Sequence, residues 1–264
     1  MIYVRSLIPS RHCVSLLTAD PAGSGFQQYT MIPETLVCPI PSSMTFESAT
    51  VLPLGISTAA AGLYEKEFLA LQHPSLSAKS TGKTVLVWGG ASSVGSCAIQ
   101  LLKYSGYEVV TTASAHNKDY CTKLGASQVF DYNNSNVIDE ISKALKGKSV
   151  AGVYDAISLE PTQKACVAIA KEADIENKFV VLTLPPSEEA SSSGIKVKSV
   201  FAVTILHNEV GPAVYKDFLP EAIGQGKFLA KPDPLVIGHG LEKAQAGMDK
   251  LKAGVSAGKV VVTL

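Results

Sequence analysis

The sequence has no net charge, no long apolar run and no paired cysteines, and each absence excludes a class of protein. Lys and Arg together number 23 and are balanced by 23 Asp and Glu, so no basic surface for a nucleic acid is predicted. No stretch approaches the roughly 20 apolar residues of a membrane-spanning helix. The five cysteines include no Cys-x-x-Cys pair, which argues against a disulfide framework and a structural zinc. These absences predict a reduced, cytoplasmic protein without a nucleic acid, membrane or metal partner.

The stretch 83–102 carries the strongest motif in the chain, a strand followed by a glycine turn and a helix. Val85–Trp88 is a short apolar run, typical of a strand buried on both faces. Gly89 and Gly90 then permit a tight turn, and apolar residues recur at helical spacing from Val94 onward. The first N–H groups of such a helix lack intrahelical partners, and the helix dipole adds positive potential there. The motif therefore predicts a site for a pyrophosphate.

This motif departs from the strict Gly-x-Gly-x-x-Gly fingerprint, because Ser92 and Ser93 stand where glycine is expected. Gly95 still suits the close packing of helix on strand that the fingerprint provides. The residues around the turn are small, so a phosphate can approach the backbone. An ordinary strand-to-helix turn without a ligand stays the alternative interpretation.

Strands and helices alternate along the middle of the chain, a pattern typical of β-α-β units and a doubly wound parallel sheet. Besides the strand at 85–88, apolar extended segments predict strands at 107–113, 128–132, 150–155, 178–184 and 196–204. Upstream, a helix is expected to start at Phe46 and to break at Pro53 and Gly55. A second helix is expected from Ser57, whose hydroxyl would cap it. The predicted fold class is α/β.

The end of the second predicted strand bears on which dinucleotide fits. Proteins that bind NAD usually place an acidic residue there for the ribose hydroxyl, but residues 111–118 contain no carboxylate, and the first one after the strand is Asp119. Ser114, His116, Asn117 and Lys118 supply hydroxyl, imidazole, amide and ammonium donors, which suit a 2′-phosphate. The sequence thus favours NADPH over NADH. The alternative is a solvated loop with a helix N-cap at Ser114 or Asn117 and a surface histidine.

No catalytic set can be assembled from the titratable residues. Asp155 ends a predicted strand on the ligand side of the sheet, although a carboxylate there often caps the next turn. His73, His207 and His239 are isolated in the sequence, and a structural role is expected for each. Because no His, Cys and Glu group has metal-ligand spacing, no metal site is predicted.

Several segments in register resemble the medium-chain dehydrogenase/reductase superfamily, in its zinc-free branch. The chain is most similar there to fungal enoyl reductase-like and quinone reductase-like members, including trans-acting enoyl reductases that serve polyketide synthases. The motifs that carry the resemblance run from about residue 24 to the C-terminus, at 26–30, 49–59, 85–95, 123–132, 240–248 and 258–262. A short-chain dehydrogenase is the rival interpretation, but it requires Tyr-x-x-x-Lys, and no tyrosine here has a lysine four residues on.

The resemblance implies a set of site residues, position by position. At the pyrophosphate it places four consecutive residues, Ala91, Ser92, Ser93 and Val94. Around the adenosine and its 2′-phosphate it places Ser114, His116, Asn117, Lys118 and Tyr132. Near the nicotinamide it places Leu184 and Pro185, with Val255 and Ser256 closing on the cofactor. Thr58 lies where nicotinamide and substrate meet, and the substrate side is lined by Phe201, Ala202, Val203, Thr204 and Ile205.

The resemblance also implies a division of the chain. Residues 1–60 correspond to part of a GroES-like catalytic domain, which predicts a partial second lobe. Residues 61–205 form the NADP-binding Rossmann domain, and residues 206–264 complete it and return to the catalytic lobe. The first 23 residues match no known motif, and we expect them to be the start of a truncated reading frame; a transit peptide is the alternative.

Two functional hypotheses follow from this resemblance. The first is an NADPH-dependent reductase that moves hydride to an activated C=C bond or a quinone, with a small-molecule substrate. The second is a non-catalytic NADPH-binding remnant of such an enzyme. An edge strand near residues 196–204 allows a homodimer, whereas the trans-acting relatives point to a monomer that docks on a polyketide synthase.

Overall fold

Six parallel strands form the sheet on which the rest of the described chain is arranged. The computed structural model describes residues 12–14, 31–173, 175 and 178–264. Its strands are β1 (His12–Val14), β2 (Val37–Pro39), β3 (Lys83–Trp88), β4 (Glu108–Ala113), β5 (Gln128–Asp131), β6 (Ser149–Asp155), β7 (Phe179–Leu182), β8 (Lys196–Ser199), β9 (Asp233–His239) and β10 (Gly258–Thr263). The order across the main sheet is β5-β4-β3-β6-β7-β8. This order confirms the predicted doubly wound parallel sheet.

Helices cover both faces of this sheet and the region beyond its edge. They are α1 (Phe46–Ala49), α2 (Pro53–Tyr64), α3 (Ser93–Tyr104), α4 (Lys118–Leu124), α5 (Val137–Leu145), α6 (Glu160–Glu172), α7 (Glu188–Ser191), α8 (Val210–Pro212), α9 (Leu219–Gly224) and α10 (Ala244–Lys252). A π-helical stretch, Ala213–Phe218, joins α8 to α9. Among the described helices, none combines the length and the apolar character needed to cross a bilayer.

The central strand β3 shows why both faces are covered. Val85 and Val87 belong to one buried cluster, which includes α2 and α3. Leu86 and Trp88 belong to a second cluster, on the opposite face, with α5 and α6. Because successive side chains of a strand point to opposite faces, a run of consecutive apolar residues must be buried twice. The apolar run that predicted the strand is thus the centre of the sheet and not its edge.

The register of the parallel strands brings the ends of β3, β4, β5 and β6 to one edge of the sheet. Trp88 pairs with Asp155, and Ala113 pairs with Asp131. The chain leaves β3 toward β4 on one side and later returns to place β6 on the other. This is a topological switch point, where doubly wound folds bind ligands.

The helix that starts at Phe46 ends before Pro53, as predicted, but the chain does not break at Gly55. One helix begins at Pro53 and continues through Gly55 to Tyr64, because proline is tolerated in the first turn of a helix. Ser57 lies inside this helix, and its hydroxyl is 2.7 Å from the hydroxyl of Tyr215, so the predicted cap at Ser57 is wrong. The helix also passes through residue 60, where the first domain was expected to end; the division into domains stays a prediction.

Strand β8 lies at the sheet edge, as predicted, but it is shorter than expected. It ends at Ser199, and residues 202–207 form a short 3₁₀ helix. Its neighbour β7 ends at Leu182, whose carbonyl accepts a last bond from the N–H of Val200. Beyond that point β8 has no strand to pair with, and the chain turns.

Two small sheets account for the remaining strands. The closing strand β10 pairs in parallel with β9, and β1 pairs antiparallel with β2. The motif at 26–30 lies outside the described residues. Of the first 23 residues, which were expected to be the start of a truncated reading frame, the structure describes only β1.

Candidate functional site

The turn between β3 and α3 is built so that backbone groups come unusually close together. A Cβ placed on Gly95 would lie 2.2 Å from the carbonyl oxygen of Gly89, and one on Gly90 would lie 2.3 Å from Thr111 Oγ1. Gly89 has a positive φ of 81°, which favours glycine. Its N–H donates to Thr112 Oγ1 at 2.9 Å. Helix, turn and the end of β4 therefore form one tightly packed unit.

The first turn of α3 leaves backbone donors available. Ser92 is the N-cap, and its hydroxyl accepts from the N–H of Gly95 at 3.0 Å. Within the described part of the chain, the N–H groups of Ser93 and Val94 have no acceptor. Two unpaired donors at the positive end of a 12-residue helix are suited to bind an anion.

A cleft of about 330 Å³ lies in front of this turn. Its walls come from the ends of β3 and β4, the loops after β5 and β6, and the C-terminal segment before β10. Among its lining residues are seven that the sequence predicted for the cofactor: Ala91, Ser92, Ser114, Asn117, Tyr132, Val255 and Ser256. The other residues predicted for the cofactor do not line the cleft; they are Thr58, Ser93, Val94, His116, Lys118, Leu184 and Pro185.

A cluster of polar side chains joins the end of β4 to the C-terminal segment. Asn117 Nδ2 donates to Ser114 Oγ and to Ser256 Oγ, both at 3.0 Å. His116 Nε2 lies 3.2 Å from each of the same two hydroxyl oxygens. Ser114 and Asn117 both occupy N-cap positions, as the alternative interpretation expects, but neither side chain makes a capping hydrogen bond. The cluster contains no carboxylate.

The carboxylate of Asp131, at the end of β5, is held by hydrogen bonds from its own turn. Asp131 Oδ1 accepts from Asn133 N at 2.9 Å and from Asn133 Nδ2 at 3.0 Å. These bonds, with smaller contributions from Lys118 and from the N–H of Ala115, hold the pKa of Asp131 below its usual value. Lys118 thus acts on Asp131, and it lines no part of the cleft.

Lys259 on β10 is a cation that reaches the first turn of α3. Its Nζ lies 3.4 Å from Ser93 Oγ, and no carboxylate among the described residues forms an ion pair with it. Burial lowers the pKa of Lys259. An ammonium group next to the positive end of a helix is unfavourable unless an anion joins them.

Asp155 caps the turn that follows β6 and does not line the cleft. Its carboxylate accepts from Ser158 N at 2.8 Å, Thr162 Oγ1 at 2.7 Å and Ile157 N at 3.0 Å. Burial raises the pKa of Asp155, and these hydrogen bonds oppose the rise. The structure therefore supports the capping interpretation that the sequence had left open.

The residues predicted for the substrate lie apart from the cleft. Thr58 is buried, and its hydroxyl donates to Leu54 O within α2 at 2.7 Å. Phe201 and Thr204 line a second depression, of about 430 Å³, near the end of α2. Ala202 and Val203 are half-buried and Ile205 is buried. Neither Thr58 nor the segment 201–205 lines the cleft, and their role in substrate binding stays a prediction.

Comparison with known proteins shows which family the chain belongs to. The zinc-binding dehydrogenase family matches residues 93–210. The dehydrogenase azaJ of Aspergillus niger is 42% identical over 96% of this chain and 74% of its own length. The trans-enoyl reductase himH of Aspergillus japonicus is 45% identical over 96% of this chain and 72% of its own length. The chain belongs to the medium-chain dehydrogenase/reductase superfamily.

Structural similarity agrees with this membership. A mycobacterial protein solved in complex with NADPH has a TM-score of 0.63 at 22% identity, over 88% of this chain and 69% of its own. For this medium-chain dehydrogenase/reductase the predicted zinc-free, enoyl reductase-like branch is confirmed. The relatives support an oxidoreductase that uses a nicotinamide cofactor. No group of His, Cys, Asp and Glu in the described ranges could hold a metal ion.

Sequence reasoning missed some residues of this reductase site. Lys259 follows Gly258 in a motif that carried the family resemblance, but nothing in the sequence shows that it meets Ser93. Asp131 also lies in one of those motifs, and its position as the last residue of β5 could have marked it. Gln163 holds the loop after β7, and only the three-dimensional contacts reveal this.

Proposed function

We propose that this chain is an NADPH-dependent, zinc-independent reductase that delivers hydride to an activated C=C bond or to a quinone. The observation that carries the proposal is the cleft with unpaired backbone donors at one end and polar donors without a carboxylate at the other. The first feature suits a pyrophosphate. The second suits a phosphate on the adenosine ribose, since hydroxyl, amide and imidazole donors can all bond to its oxygens.

The residues present fit the dinucleotide. Ser93 and Val94 would donate backbone hydrogen bonds to the pyrophosphate, and Lys259 would supply a charge on the same side. The missing side chain at Gly95 lets α3 pack against the turn, which positions those donors. Both phosphates of the pyrophosphate would thereby bind at the N-terminal end of α3, next to its unpaired N–H groups and the Lys259 ammonium.

At the adenosine end, Ser114, His116 and Asn117 would hold the 2′-phosphate, with Tyr132 beside the adenosine. In the unliganded chain His116 and Asn117 bond to Ser256 Oγ. Exchanging a neutral hydroxyl for a charged phosphate strengthens each bond, because charge-assisted hydrogen bonds are roughly twice as strong as neutral ones. Val255 and Ser256 would then cover the bound cofactor.

When bound, NADPH supplies the hydride, so the protein needs few acid-base groups of its own. The chain's part is to orient the nicotinamide against the substrate and to keep water out. Leu184 and Pro185 would contact the nicotinamide. Thr58 and the segment Phe201–Ile205 are proposed for the substrate side.

The test is cofactor oxidation, followed by the loss of reduced-nicotinamide absorbance, with a panel of quinones and enoyl thioesters. We expect turnover with NADPH and little with NADH. Tight NADPH binding without turnover of any acceptor would favour the second hypothesis, a cofactor-binding protein that is not a catalyst. Failure to bind either cofactor would refute both hypotheses.

A polyketide synthase is the partner we propose for this reductase. The support is the trans-enoyl reductase relative, because an enzyme that acts in trans must meet a substrate carried by another protein. Sedimentation of the chain alone separates a monomer from a homodimer formed along β8. Sedimentation with the carrier domain of a synthase tests docking, and no co-migration would contradict it.

A further inference from the structure

The segment after β7, residues 183–187, has no regular secondary structure, yet side chains from the preceding loop and helix hold its backbone. Thr183 N donates to Ser158 Oγ at 2.7 Å. Pro185 O accepts from Gln163 Nε2 at 3.1 Å, and Ser187 N donates to Gln163 Oε1 at 2.8 Å. Leu184, between these points, keeps its side chain 46% exposed. The backbone of the segment is fixed while its apolar side chain stays accessible.

Gln163 is the centre of this arrangement. It lies in the first turn of α6 with 3% of its surface exposed. Its Nε2 also donates to Ser158 O at 2.8 Å, so the amide group bonds to three backbone atoms in two loops. A buried amide that loses such partners leaves unsatisfied groups behind, and these are costly.

The loop on the other side of Gln163 is equally constrained. Ser158 has a positive φ of 57°, which is uncommon for a residue other than glycine and carries strain. Its hydroxyl donates to Asp155 O at 2.8 Å, and the Asp155 carboxylate bonds to the same turn. Thr162, on the same turn of α6, lines the cleft. The fixed loops therefore stand beside the cofactor cleft.

We propose that Gln163 is a positioning residue that sets Leu184 and Pro185 against the nicotinamide. This inference rests on the proposed function, in which those two residues contact the ring. Since Gln163 bonds to the backbone on both sides of Pro186, its amide fixes where Leu184 stands. Displacing a positioning group by about 1 Å costs roughly 100-fold in rate. Loss of Gln163 should thus slow hydride transfer and leave the affinity for the adenosine end of the cofactor unchanged.

The chain provides a matched control at Gln100 in α3. Gln100 is 1% exposed. Its Nε2 donates to Ser96 O at 3.2 Å and to Leu229 O at 3.1 Å, and its Oε1 accepts from Leu229 N at 2.7 Å. This is the same pattern of three backbone bonds, but the loop it holds lines no part of the cleft. Gln100→Met and Gln163→Met therefore remove the same interactions in different places.

The experiment compares these two variants of the full chain in three measurements. They are the fluorescence of bound NADPH, the kinetic split between kcat and KM with the best quinone or enoyl thioester, and the affinity for adenosine 2′,5′-bisphosphate, which lacks the nicotinamide. We expect Gln163→Met to lower kcat roughly 10- to 100-fold, to change the fluorescence of the bound ring, and to keep the affinity for the bisphosphate within twofold. Gln100→Met should lower the melting temperature by a similar amount and leave both ring readouts unchanged.

Equal effects of the two variants on kcat and fluorescence would overturn the inference and leave the proposed function intact. No NADPH binding by the unmutated chain would instead overturn the proposed function, and the inference with it. If Gln163→Met does not fold, Gln163→Glu replaces it, because it keeps the shape and the acceptor for Ser187 N but loses the donor to Pro185 O. The same loss of kcat is expected from Gln163→Glu, and an unchanged kcat would overturn the inference.

Discussion

Asn117→Ala should weaken NADPH binding and leave NADH binding almost unchanged. Asn117 Nδ2 lies 3.0 Å from both Ser114 Oγ and Ser256 Oγ, at the place proposed for the 2′-phosphate. Without phosphate, the change removes two neutral bonds, each worth about 0.5–1.5 kcal/mol of stability. With phosphate it removes a bond to a charged group, worth about 1.5–3 kcal/mol. Where one neutral bond is exchanged for the charged one, the affinity changes by the difference between them, about 1–1.5 kcal/mol. At about 1.4 kcal/mol for each factor of ten, NADPH affinity should fall roughly 5- to 12-fold.

Isothermal titration of each cofactor into the variant measures this selectivity. The matched control is Asn208→Ala, since Asn208 Nδ2 also makes two bonds, to Glu65 Oε1 at 2.6 Å and to Thr204 O at 3.2 Å, but away from the cleft. The control should bind both cofactors like the unmutated chain. If Asn117→Ala weakened NADPH and NADH by the same factor, or neither, the donor cluster would not be the 2′-phosphate site.

Three further changes test other parts of the structure. Gly95→Ala should lower the melting temperature sharply and abolish cofactor binding, because its Cβ would lie 2.2 Å from the backbone oxygen of Gly89; a normal melting curve would contradict the packing described. Lys259→Met should weaken NADPH and NADH alike, by roughly tenfold for one charge-assisted bond, without lowering the stability of the unliganded chain, since an unpaired and partly buried cation is costly; unchanged affinity for both would show that Lys259 binds no phosphate. Glu108→Gln tests pH dependence: the hydrogen bond from Lys148, helped by one from a threonine hydroxyl, lowers the pKa of Glu108 in the folded state, so its stabilisation is present above the unfolded value of 4.5 and is lost as pH falls through the folded value. The unmutated chain should therefore lose more stability than Glu108→Gln as the pH is taken below 4.5, and parallel melting curves across that window would refute the argument.

The sheet could be predicted from the sequence because its buried strands are short apolar runs. Val85–Trp88 is buried on both faces by clusters that alternate along the strand, and an uninterrupted apolar run is the signature of that situation. The predictions were wrong where a contact with a residue far along the chain determines the local structure. Ser57 looks like a cap until Tyr215, 158 positions away, is seen to bond to it. Likewise β8 stops because β7 stops, which no residue of β8 reveals.

The residues of the candidate site likewise fall into those that the sequence could predict and those that it could not. Residues that follow strand ends, such as Ser114 and Asn117, could be placed because parallel strands all end at one edge of the sheet. Lys259 and Gln163 could not be placed, because each acts through a contact with a segment far along the chain. The resemblance to known reductases supplied Val255 and Ser256, which pattern alone would not have connected to the end of β4.

The central claim is that the cleft binds NADPH in preference to NADH through donors at the end of β4. Titration of the unmutated chain with each cofactor under identical buffer and salt tests it most directly. We expect NADPH to bind more tightly than NADH, by at least the roughly tenfold that one charge-assisted hydrogen bond supplies. Equal affinities, or tighter binding of NADH, would contradict it.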